Sequence, residues 1–121
     1  MYPQELQVLQ AVSNGLVWMS ESDYPFDIVH WQNADATPFA GKQLPTSELD
    51  YFFRNVAETK EWHNDIQKAL VPRYQELVQT LREHLRNPQV YRIGETQVDA
   101  YLVGTLSDGS IGGLHTILIE T

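Results

Sequence analysis

Ser20-Glu21-Ser22-Asp23 is the one stretch of this chain in which carboxylates cluster among hydroxyls, and it runs directly into a stiff aromatic segment, Tyr24-Pro25-Phe26. Three readings fit these residues. Glu21 and Asp23 could be the carboxylate pair of a glycoside hydrolase, but residues two apart in a loop do not set the separation which that chemistry needs. The stretch could equally be an ordinary capped turn, because Ser and Asp side chains bond readily to nearby backbone amides. A loop carboxylate held between rigid flanks is also a good mimic of a phosphate oxygen, suited to a site built for a phosphodiester.

Little else in the chain carries chemistry. His30, His63, His84 and His115 are scattered, no two at the i, i+4 spacing that lets a helix present two imidazoles to one metal, so each reads as a surface or packed histidine. The chain has no cysteine, which removes disulfides, thiolate metal sites and Cys nucleophiles. It also lacks GxSxG and any glycine-rich phosphate loop. Gly112-Gly113 sits inside a strand-like run, where a bulge or close packing is the simpler explanation.

Charge narrows the partners. Eight Lys and Arg face sixteen Asp and Glu, a formal net charge of -8. A phosphate backbone would repel such a chain, so direct nucleic-acid binding is not expected. A basic protein would attract it, although acidity also serves solubility alone. At 121 residues, 42% hydrophobic and 20% charged, the chain fits one globular domain over 1–121. Its first residues, MYPQELQVLQAVSNG, lack a basic start and an unbroken apolar run, so no signal peptide is expected. No stretch approaches the roughly 18 apolar residues of a membrane span.

The elements that must position the acidic loop follow from periodicity. Leu6, Leu9 and Val12 predict a helix over residues 3–14, with Pro3 in its first turn and Asn14-Gly15 as its stop. Phe26 to Trp31 alternates as a strand with both faces partly covered. Residues 32–46 read as a loop from Asn33, Asp35, Pro38, Gly41 and Pro45. Ser47 is the expected N-cap of a second helix with Leu49, Phe52, Phe53 and Val56 on its buried stripe.

Ile66, Leu70, Tyr74, Leu77, Val78, Leu81 and Leu85 then recur at helical spacing up to Asn87-Pro88. Pro72 falls inside this pattern, where it costs about 3 kcal/mol, so the main helix is expected to begin near Val71 after a separate turn or kink. Val90–Glu95, Val98–Leu106 and Ile111–Glu120 predict three strands, with turns at Gly94–Gln97 and Ser107-Asp108-Gly109. Short links imply an antiparallel meander. The order predicts an α+β fold with helices packed on an antiparallel sheet.

Two blocks carry a resemblance. Residues 15–27, Gly15-Leu16-Val17-Trp18-Met19-Ser20-Glu21-Ser22-Asp23-Tyr24-Pro25-Phe26-Asp27, form the first. The second is Asn87-Pro88-Gln89-Val90-Tyr91-Arg92-Ile93-Gly94-Glu95 followed by Val98-Asp99-Ala100-Tyr101-Leu102-Val103-Gly104, and the terminal Glu120-Thr121 matches as well. Together they closely resemble the nuclease A inhibitor family of cyanobacteria, over nearly the whole chain. The resemblance implies an α/β/α sandwich with a mainly antiparallel sheet, similar to the pathogenesis-related-1 fold. It implies a protein that is not itself a catalyst, needs no cofactor of its own and acts in the cytoplasm as a monomer forming a 1:1 complex. The implied partner is a sugar-non-specific DNA/RNA endonuclease of the ββα-metal class, with a catalytic Mg2+ in a basic cleft.

Residue by residue, the resemblance implies that Glu21, flanked by Ser20 and Ser22, enters the nuclease site in place of the scissile phosphate. It implies that the Thr121 hydroxyl reaches the nuclease's Mg2+, an ion that prefers hard oxygen ligands. It gives a further contact at Glu61-Trp62, where Glu61 replaces the family's Asp. Trp62 on its own spacing suits either a packed core or an interface, where aromatics are enriched. An acidic binding module of the same fold with a different basic partner is the alternative.

Overall fold

A computed structural model describes residues 3–16, 24–41, 46–54, 57 and 59–119. Helix α1, Gln4–Ser13, starts after Pro3 and ends at Asn14-Gly15, with Gly15 in the left-handed region that closes helices. Its buried Leu6 and Leu9 form the expected stripe. Strand β1, Asp27–Trp31, is half-buried along most of its length. A single 3-10 turn, Ala34–Ala36, lies in the loop that follows. Strand β2 is Thr46–Ser47, and helix α2 is the short Leu49–Phe52.

Ser47 was the expected cap of α2, and here the structure differs. Ser47 is extended and paired with Val90, so the helix starts later, with Glu48 at the N-cap. Of the expected stripe Leu49, Phe52 and Phe53 are buried, while Val56 lies outside the described residues. Asp50, in the first turn of α2, pairs with Arg82.

Helix α3 runs unbroken from Asp65 to His84, with Pro72 inside it, so the expected start near Val71 is corrected. Two features offset the proline. Asn64 and Gln67 form a reciprocal capping box, with the Gln67 N–H donating to Asn64 Oδ1 and the Asn64 N–H donating to Gln67 Oε1, both at 2.8 Å. Pro72 also lies on the exposed side of the helix, so the carbonyl freed at exposed Lys68 can be solvated. The helix ends at His84 and Leu85 is already extended, ahead of the expected stop at Asn87-Pro88.

Those residues instead open strand β3, Arg86–Ile93, which pairs with β4, Gln97–Thr105. The register shifts between Arg86 and Gln89, and Pro88, with no N–H to give, falls in that irregularity. Strand β5, Ile111–Ile119, completes the expected meander. All pairs are antiparallel, and the sheet order is β1-β5-β4-β3-β2. The α+β class is as expected, and the first and second strands become the two edges.

Alternation along the strands separates two faces. Val90, Val98, Ala100, Leu102, Leu114 and Leu118 point into one buried cluster with Leu6, Leu9, Phe53, Tyr74, Leu77 and Leu81 from the helices. The opposite face carries Trp31, Tyr91 and Tyr101. Phe39 from the loop after β1 stacks on Tyr91 at 4.2 Å and meets Trp31 edge-on at 5.7 Å. His115 lies on this face against Tyr101, with Nε2 2.8 Å from Asp99.

The glycine pair in β5 is a matter of close packing, as expected. A Cβ on Gly113 would sit 2.0 Å from the Leu102 carbonyl oxygen, and one on Gly112 would press on Leu6 at 3.2 Å.

At one end of the molecule Glu5 of α1 accepts from the Ser107 N–H at 2.9 Å and from its hydroxyl at 2.7 Å. These bonds hold the Glu5 carboxyl below its ordinary value, the backbone donor contributing most. Because the folded value is depressed, the stabilisation is present above the ordinary glutamate range and is lost as pH falls through the folded value. Glu5→Gln is therefore expected to flatten the acid limb of a plot of urea midpoint against pH. An unchanged acid limb would show that this contact does not contribute to acid stability.

Candidate functional site

Ser20, Glu21, Ser22 and Thr121 lie outside the described residues, as does Asp23. Their nearest described neighbours do have a place. Tyr24 leads into β1 and Ile119 ends β5, and in the β1–β5 register lower numbers face higher ones, from Trp31 opposite Ile111 to Asp27 opposite His115. Thr116 of β5 donates its hydroxyl to the Pro25 carbonyl at 3.0 Å, extending the association toward Tyr24. Tyr24 and Ile119 thus lie at the same end of the same strand pair.

Helix α3 reaches that end too. Arg73 donates to the carbonyls of Val12 at 3.2 Å and Asn14 at 2.8 Å, satisfying the last turn of α1 with a cation where a helix terminus favours one. At the other end of the fold Gln4, Glu5, His84, Thr105 and Ser107 line one open cleft. The two helices are therefore antiparallel, and the eight residue steps from Asp65 to Arg73 carry α3 about 12 Å beyond the end of α1. The turn before α3 lies toward the end of the sheet where β1 begins and β5 finishes.

That turn contains Glu61 and Trp62. Both are exposed, Trp62 at 61%, so the packed-core reading of this tryptophan is removed. The frame beneath it is well defined. The His63 N–H donates to the Lys60 carbonyl at 3.1 Å, and the Lys60 N–H donates to His63 Nδ1 at 3.2 Å. Nδ1 is thus used as the acceptor for a backbone amide within the turn. His63 is 4% exposed, and its ring meets the Trp62 indole edge-to-face, centroids 4.4 Å apart at 80°. The capping box then starts α3 at the next residue.

Ile66 was expected at the head of the helical apolar series. It is 72% exposed and sits in the first turn of α3, four residues after Trp62. Tyr51 is the other large exposed hydrophobic among the described residues, and its ring is covered by the Arg54 guanidinium at 3.9 Å. Trp62 and Ile66 are left as large apolar groups offered to solvent on one turn, flanked by exposed Glu61 and Asp65. The signal that would have found this frame is Asn64-Asp65-Ile66-Gln67, a capping box that fixes the helix start before Ile66.

No group of three or more His, Asp or Glu able to hold a metal ion occurs among the described residues. No described helix is long and apolar enough to cross a membrane.

Comparison with known proteins gives one family. No curated protein matches the chain. The family model described as nuclease A inhibitor-like protein matches residues 4–121, which takes in both the acidic loop and the Trp62 turn. The chain belongs to the nuclease A inhibitor-like protein family.

Proposed function

We propose that this protein blocks the active site of a Mg2+-dependent, sugar-non-specific endonuclease of the ββα-metal class, forming a 1:1 complex in the cytoplasm. Glu21, with Ser20 and Ser22 beside it, takes the place of the scissile phosphate. The Thr121 hydroxyl supplies a hard oxygen toward the nuclease's Mg2+. Glu61, Trp62 and Ile66 rest on the nuclease surface beside the cleft. In this reading the fold is similar to the pathogenesis-related-1 fold.

The observation that carries the reading is topological. Positions 21, 61–62 and 121 are far apart in sequence, yet the elements leading to them all run to one end of the fold. An acidic chain of net charge -8 also suits a basic cleft, which would speed association at low salt.

Titration against such nucleases, with plasmid DNA as substrate, tests this directly. Stoichiometric loss of cleavage is expected. No inhibition at large molar excess over several of these enzymes would instead favour an acidic module for a different basic protein. A terminal residue seated in a cleft also tolerates no extension. A C-terminal tag is therefore expected to weaken inhibition by about 100-fold, on the scale of a lost central contact, and an N-terminal tag far less. Equal potency of the two tagged forms would exclude the Thr121 contact.

A further inference from the structure

We propose that His63 is a positioning residue that fixes the Trp62 indole before the complex forms. The inference rests on the reading that Trp62 contacts the nuclease, and deepens it.

An exposed tryptophan would ordinarily sample several rotamers, and stopping that motion on binding weakens a complex by about 2- to 10-fold. Here the neighbouring ring removes part of that freedom. His63 is only 4% exposed, so its own ring is immobilised by packing. Two hydrogen bonds with Lys60 hold its backbone and its Nδ1. The capping box at Asn64 and Gln67 fixes the chain on its far side. A ring held from three directions then meets the exposed indole edge-to-face, centroids 4.4 Å apart at 80°.

Three substitutions separate the parts. His63→Leu keeps the burial but removes both the aromatic ring and the acceptor. His63→Phe restores the ring alone. Trp62→Ala removes the group being positioned. Dissociation constants for a Mg2+-dependent non-specific endonuclease are measured for the wild type, each single variant and the His63→Leu/Trp62→Ala double variant. His63→Leu is expected to weaken binding by about 5- to 10-fold, His63→Phe to recover part of that loss, and His63→Leu to have less than about a 2-fold effect once Trp62 is absent. The near-UV circular dichroism assigned to Trp62, taken as the wild type minus Trp62→Phe, is expected to fall in His63→Leu and return in His63→Phe.

An equal loss from His63→Leu with and without Trp62 would overturn the proposal and leave the Trp62 contact standing. An unchanged affinity in Trp62→Ala would overturn both. If His63→Leu fails to fold, the His63→Phe arm decides: retention of the Trp62 signal and of near-wild-type affinity supports positioning by the ring, and loss of both overturns it.

Discussion

Glu21→Ala is expected to weaken inhibition of the nuclease by about 2 to 5 kcal/mol, or roughly 30- to 5,000-fold in the inhibition constant. The size follows from what the substitution leaves behind. A carboxylate standing in for a phosphate is desolvated against cationic groups, and deleting it strands those charges in a buried cleft. Glu21→Gln keeps the shape and removes the charge, so most of the loss should persist in that variant. The neighbouring serines should matter less, since they bring no charge. Titration of each variant against the nuclease with plasmid DNA measures the effect. Unchanged inhibition by Glu21→Ala would place that carboxylate outside the nuclease site.

Gly113→Ala is expected to destabilise the protein by about 3 kcal/mol. The added methyl would meet the Leu102 carbonyl oxygen at 2.0 Å and its carbon at 3.0 Å, and these are backbone atoms of the adjacent strand that cannot rotate away. Gly113 also sits at φ 154°, which side chains rarely adopt. It faces Val103 in the register joining β5 to β4, at the centre of the sheet. Urea unfolding gives the shift in midpoint, and a wild-type midpoint would show that the β4–β5 pair relaxes freely there. Because the clash at Gly113 falls on the backbone of β4, molecules that remain folded should inhibit normally, which separates this loss from that of Glu21→Ala.

Local patterning was enough wherever a segment's fate depended on its own residues. Leu6 and Leu9 marked the buried side of α1, and Asn14-Gly15 its end. Ser107-Asp108-Gly109 formed the predicted turn between β4 and β5, with the Gly109 N–H donating to the Leu106 carbonyl at 3.0 Å. Errors arose where two local signals competed. Pro72 argued for a break, but a capping box and the buried Val71, Tyr74, Leu77 and Leu81 outweighed one lost hydrogen bond on an exposed face. Ser47 read as a cap, but pairing with Val90 claimed its backbone for a strand edge. Ile66 fitted the helical series, but it precedes the part of α3 that packs on the sheet.

The sequence by itself determined the α+β class, the meander, the acidic balance and the family, because each depends on periodicity, composition or consecutive identities within short blocks. It could not decide whether Trp62 was core or surface, since one aromatic in a turn has no period to read. Tertiary structure decided that, by burying His63 beneath the turn and leaving the indole outside. It also decided that the approaches to Glu21, Trp62 and Thr121 share one end of the molecule. Antiparallel pairing of β1 with β5 and the extension of α3 past α1 are long-range contacts, and no local pattern encodes which distant segments meet.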